Sequence, residues 1–236
     1  MRRHRTILTV CLLASFFAGH SYGQEQQHVL EVGQQRISAS LYKSRKPPTL
    51  GGVVVLVAGG NSGAWPHSLH ALGRHLPDDG WTTLRVDLKS AAPPTESSGN
   101  EQLFQQISAA VEFLRKDGLQ DIVLVAAGGI AFQTLQGSKD KRIADLQGLV
   151  LLDVSEIERL PKHGLEIDGL KMPVLDLLTQ HDSARGVAVQ RKLLAQQNNM
   201  ANYRQVRAPA VGPNWNKRRD PVVQRVRGWL RKNGRT

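Results

Sequence analysis

The sequence predicts an α/β fold, a doubly wound and mostly parallel sheet flanked by helices, built as one domain behind an export signal. Three observations carry this. Residues 51–58 read GGVVVLVA, a β-branched run without a polar break, as expected of a strand buried on both faces. Similar short apolar runs recur down the chain and alternate with stretches whose leucines, isoleucines and valines fall at helical spacing. Several strands end in glycine-rich turns that open directly into those helical stretches.

The chain opens on an address. Arg2, Arg3 and Arg5 precede an apolar stretch from Ile7 to Ala18, and Ser21-Tyr22-Gly23 supplies a small-x-small end, so residues 1–23 read as a Sec-type signal peptide. At about 12 residues the apolar stretch falls short of the roughly 20 that a spanning helix needs. The expected compartment is the periplasm, with secretion as the alternative. Cys11, the only cysteine, lies inside this signal. From Gln24 onward there is no thiol, which excludes disulfides, thiolate metal ligands and cysteine nucleophiles.

After an antiparallel start over His28–Tyr42 and a turn at Lys46-Pro47-Pro48 comes the strand at 51–58. The loop from Gly59 to Pro66 follows, and then a helix carrying Leu69, Leu72 and Leu76, with Asp78-Asp79 read as a solvated turn. A strand over 80–88, a helix from Glu101 to Lys116 closed by Gly118, and a strand over Ile122–Ala126 come next. Gly128-Gly129 leads into a helix near 130–136, and strands at Gly148–Leu152 and Pro173–Leu178 follow it. A helix near 184–198, a strand at Tyr203–Arg207 and a last helix complete the series. In that last helix Asp220 is a good N-cap and Pro221 a good first residue, and Val222, Val223, Val226, Trp229 and Leu230 form one apolar stripe. The expected division is 24–213 for the domain and 214–236 for a basic amphipathic C-terminal helix packed on it.

The 236 residues carry 31 Lys and Arg against 20 Asp and Glu, a net charge of +11. Three basic residues belong to the signal, and residues 214–236 hold eight more against Asp220 alone, so residues 24–213 sum to +1. The basic character is therefore terminal, and nucleic acid is not an expected partner, given only 5% aromatic residues and no stacking motif. Arg218, Arg219, Arg225, Arg227 and Arg231 suggest an anionic envelope surface as a partner of the tail.

The strand and glycine-rich loop at Val53–Trp65, the Gly80-Trp81-Thr82-Thr83-Leu84 strand, the strand-to-glycine turn at Ile122–Gly129, Pro173-Val174-Leu175-Asp176 and the final amphipathic helix resemble the α/β-hydrolase fold. More narrowly they are similar to an exported proteobacterial α/β-hydrolase-like family, domain of unknown function 3530, over roughly residues 30–232. The resemblance implies a nucleophile in a Gly-x-Ser-x-Gly elbow after the fifth strand, an acid after the strand at 173–178 and a histidine after the last strand. Here the elbow is Ala126-Ala127-Gly128-Gly129-Ile130, so the nucleophile position falls on Gly128, which has no side-chain oxygen. Asp182 stands at the acid position. The window 208–215, Ala-Pro-Ala-Val-Gly-Pro-Asn-Trp, contains no histidine.

The expected function is accordingly that of a non-catalytic α/β-hydrolase-like protein that binds an unidentified small molecule, anionic or acyl, through the turns at Gly59, Gly60 and Asn61 and at Gly128 and Gly129. One alternative is an esterase or thioesterase with a displaced nucleophile, Ser62 or Ser155, with His181 beside Asp182. A second is an envelope-surface adaptor acting through the basic helix. No cofactor and no metal are expected: His67, His70 and His75 surround one helix, but no carboxylate joins them there.

Overall fold

Eight strands form one sheet in the computed structural model, which describes residues 25–58, 65–88, 97–143, 145–154, 167, 169–178, 185–209 and 220–234. They are β1 (Glu25–Val32), β2 (Gln35–Tyr42), β3 (Gly51–Ala58), β4 (Trp81–Leu88), β5 (Ile122–Ala127), β6 (Gly148–Leu152), β7 (Val174–Leu178) and β8 (Tyr203–Arg207). Across the sheet they lie in the order β1-β2-β4-β3-β5-β6-β7-β8. β1 pairs antiparallel with β2, and β2 with β4, while every later pair is parallel. Among the described residues five helices flank the sheet: α1 (Trp65–His75), α2 (Ser97–Lys116), α3 (Gly128–Lys139), α4 (Arg185–Gln197) and α5 (Pro221–Asn233). A 3₁₀ turn at Leu76–Asp79 follows α1. The fold is the doubly wound, mostly parallel sheet that the strand and helix patterns predict.

The uniform apolarity of the central strands follows from their two neighbours. In β3 alternate side chains enter opposite layers, as the two-residue period of a strand demands. Val54 and Leu56 join Leu103, Ile107, Val111 and Leu135 of α2 and α3, whereas Val53, Val55 and Val57 join Leu69 and Leu72 of α1 and Val226 of α5. β1 has cover on fewer sides, and its burial is correspondingly patchy.

The C-terminal helix is fixed at both ends. At its start the Asp220 carboxylate accepts the Val222 and Val223 backbone N–H groups at 2.8 and 3.3 Å, an N-cap of the kind that contributes about 1 kcal/mol. Its second oxygen accepts the Ser68 hydroxyl of α1 at 2.7 Å, tying the two helices together. Further along, Asp79 receives Arg227 Nη2 at 2.7 Å and Arg231 Nη2 at 3.5 Å. Here the structure corrects the reading of Asp78-Asp79 as a solvated turn. The Asp79 side chain is only 8% exposed and holds α5 down, while Asp78 pairs with Arg45. The reason is tertiary: α5 returns across the end of α1, a juxtaposition of residues 148 apart that local pattern does not reveal.

Two helix starts also differ from expectation. α3 begins at Gly128 rather than near 130, because the chain enters the helix straight from the end of β5. α2 begins at Ser97, where a Ser-Ser-Gly sequence reads as loop on propensity alone.

Candidate functional site: the turn after β5

β5 occupies the middle of the sheet, between β3 and β6. Its last residue, Ala127, is extended at φ −128° and ψ 152°, and the next, Gly128, is left-handed at φ +57° and already begins α3. A strand that turns into a helix within one left-handed residue is the backbone of a nucleophile elbow. The geometry is present at the position the resemblance marks, and the residue in it is a buried glycine. Among the described residues, a Cβ built on Gly129 would meet nothing within 4 Å, so none of them fills the space beside the first turn of α3. That turn offers backbone N–H groups that have no partner within the helix, at the positive end of its dipole.

Gly128 and Gly129 therefore differ in a way that substitution exposes. Gly128→Ala is expected to lower the free energy of unfolding by about 1–2 kcal/mol, since a Cβ in the left-handed region is strained. Gly129→Ala is expected to be neutral or slightly stabilising, as alanine is the better helix former. Urea unfolding of both variants checks this.

The stems of the other turns lie along the same edge of the sheet. Ala58 pairs in register with Leu88, Ala127 with Leu152, and Leu152 with Leu177, so the ends of β3, β5, β6 and β7 share the carboxyl side, where open α/β sheets bind ligands. Gly59, Gly60, Asn61 and Ser62 follow β3, Ser155 follows β6, and His181 and Asp182 follow β7; all seven lie outside the described residues. So do Arg218 and Arg219. Of the remaining tail arginines, Arg225 is exposed, whereas Arg227 and Arg231 reach Asp79.

His67 is exposed, and His75 Nδ1 lies 3.9 Å from an Asp78 oxygen. His70 belongs to a polar cluster around Arg85, whose Nη1 lies 2.8 Å from His70 Nδ1 and 3.3 Å from the Tyr42 hydroxyl. Arg85 Nη2 donates to Ser40 at 3.0 Å and to Asp87 at 3.3 Å. Burial and the Arg85 charge lower the His70 pKa, which fits a neutral ring accepting from the guanidinium. Among the described residues no three His, Cys, Asp or Glu side chains are grouped to hold a metal ion, and no helix is long and apolar enough to cross a membrane.

A charged group that residue patterns did not single out for a role is buried beneath α4. Asp176, in the middle of β7, accepts Arg191 Nε at 2.9 Å and Nη2 at 3.3 Å, the Tyr203 hydroxyl at 2.6 Å and Gln205 Nε2 at 3.0 Å. Asp176 and Arg191 are fully buried. Burial, and then the neighbouring Asp176 charge, push the Tyr203 hydroxyl well above its ordinary pKa, so it stays a donor. The signal was there in VLDLL, a carboxylate inside an apolar parallel strand, which folded proteins keep only when it is paired. The Asp176 carboxylate is satisfied by protein donors, and the network ties β7, α4 and β8 together.

Comparison with known proteins agrees with this fold. Est1E from Butyrivibrio proteoclasticus superposes with a TM-score of 0.65 at 14% identity, covering 88% of this chain and 98% of its own. Dienelactone hydrolase from Anabaena variabilis gives 0.63 at 16% identity, covering 90% and 99%. An esterase of Pyrococcus furiosus gives 0.64 at 12% identity, covering 89% and 91%. At these identities the likeness is one of fold, and it is the α/β-hydrolase fold. No curated protein matches the chain in sequence. The model of one family, described as "Protein of unknown function (DUF3530)", matches residues 15–99 and 88–232. Those segments take in the elbow, the buried Asp176 and the capped last helix, and the chain belongs to that family.

Proposed function

We propose that this protein is an exported, non-catalytic member of the α/β-hydrolase fold, whose elbow has been kept as a binding turn. One observation carries the reading: the elbow backbone is intact at Gly128, with φ +57°, and bears no side chain that could attack a carbonyl. Acyl transfer on this fold needs a side-chain nucleophile at that point and a base to activate it. The sequence supplies neither the first at 128 nor, between 208 and 215, a histidine for the second. What is left is the part of the machinery that stabilises without reacting, namely the N–H groups of the first turn of α3 and the space beside Gly129 that no described residue fills. A ligand with a carboxylate, phosphate or acyl carbonyl oxygen suits such donors, and with no nucleophile beneath it the ligand is held unchanged.

A panel of short- and medium-chain nitrophenyl esters and thioesters tests this on the mature protein. No turnover above the buffer rate is expected. Turnover that Ser62→Ala or Ser155→Ala abolishes would overturn the reading in favour of a hydrolase with a displaced nucleophile.

A further inference from the structure

β8 is the last strand of the sheet, and among the described residues nothing pairs with its outer edge. Ala208 donates its N–H to Leu178 and Asn202 accepts from Val174, so even-numbered residues face β7, and the main-chain groups of Gln205 and Arg207 face outward. Tyr203 N–H is turned back to Met200, which leaves the open stretch beginning at the Tyr203 carbonyl. A groove flanks the strand on either face. On the α4 side a groove of about 370 Å³ is lined by Lys192, Gln196, Asn199, Met200, Tyr203 and Gln205. On the α5 side one of about 180 Å³ has Val206 and Trp229 in its wall and Arg204, Arg225 and Lys232 at its rim. Among the described residues no carboxylate lines either.

The charge of the whole chain is concentrated at this end. Residues 185–236 hold 13 Lys and Arg against one acid, Asp220, and the other 184 residues sum to −1. That single acid is buried as the cap of α5. Lys192, Arg204, Arg207, Arg225 and Lys232 are all exposed. Two copies meeting edge to edge would set these cations against each other, so the edge is built against self-pairing.

We propose that β8 receives an extended, acidic segment of another protein as a ninth strand. Its backbone pairs with the outward groups of Gln205 and Arg207, and its side chains alternate between the two grooves. Acidic side chains on one face meet Lys192 and Arg207, and on the other Arg204, Arg225 and Lys232. Main-chain pairing supplies affinity and the flanking grooves select sequence, as in strand addition generally. The inference does not depend on whether the elbow is catalytic.

The test is fluorescence anisotropy of a labelled, alternating Glu-Thr octapeptide titrated with the mature protein at low salt. Arg207→Gln removes one charge and keeps the edge N–H, and a loss of about two- to threefold is expected. Arg207→Pro removes the same charge and also the outward N–H, a substitution edge strands tolerate, and a loss of about tenfold is expected. The same peptide N-methylated at alternate residues, so as to block pairing, is expected to bind the unmodified protein at least as weakly, a readout independent of variant folding. Equal losses for the two variants together with unimpaired binding of the N-methylated peptide would overturn strand addition. So would binding to phosphatidylglycerol-containing vesicles without binding to the peptide, which would make the edge a membrane contact. Dimerisation abolished by Arg207→Pro, with no peptide binding, would assign the edge to a second copy instead.

Discussion

Replacing Asp176 by Ala is expected to lower the free energy of unfolding by about 3–5 kcal/mol, because it leaves the Arg191 guanidinium buried without its counter-charge. Asp176 accepts four hydrogen bonds, from Arg191 twice, Tyr203 and Gln205, and Arg191 Nη1 is already buried without a hydrogen-bond partner. Burial works against the Arg191 charge and Asp176 outweighs that effect, so the guanidinium stays ionised in the native protein. Loss of the carboxylate then strands a charge rather than removing a contact. The double replacement Asp176→Leu with Arg191→Met is expected to recover most of the loss, since well-packed apolar pairs commonly match buried ion pairs. Equilibrium unfolding in urea of the two single variants and the double variant checks both statements. A loss below about 1 kcal/mol in Asp176→Ala would mean that the network relaxes into solvent, against the burial described here.

Trp229→Ala is expected to cost a similar amount, about 3–5 kcal/mol, for a different reason. The indole of α5 lies over the start of β6, where Gly148 makes room for it. A Cβ at 148 would come within 2.7 Å of Trp229 Cη2. Removing the ring opens a cavity against a backbone that its neighbours β5 and β7 hold in place, so little collapse can offset the loss. Gly148→Ala in the parent is expected to cost about 1–3 kcal/mol through overpacking. In the Trp229→Ala background the same change should cost little or be favourable, and thermal or urea unfolding of the four proteins measures that coupling. Additive effects would contradict the close approach.

How far the sequence disclosed this molecule varied with the range of the interactions involved. The β-branched run at 51–58, the leucine spacing of 69–76 and the Asp220-Pro221 start of the last helix are local signals, and each corresponds to an element in the structure. The strand-to-helix turn after β5 is readable because its signal is also local: an apolar strand, two small residues, then a helix. Asp79 is not legible in this way, because its partners come from α5 and an acidic pair beside a proline looks like any solvated turn. Asp176 stands out in the sequence only as part of a motif, since its four donors lie on α4 and β8 and no spacing rule connects them. The cationic edge was half visible. Counting charge by sequence placed it in the tail, whereas the fold gathers Lys192, Arg204 and Arg207 beside Arg225 and Lys232 around one strand.

The central claim is that the elbow survives without its nucleophile, and the most direct measurement is covalent labelling of the mature, folded protein by a fluorophosphonate probe, read by intact mass. The account predicts no mass increase, with unchanged mass in a Gly128→Ala control. A stoichiometric adduct that forms in the folded protein, disappears on heat denaturation and maps to Ser62 or Ser155 would contradict it.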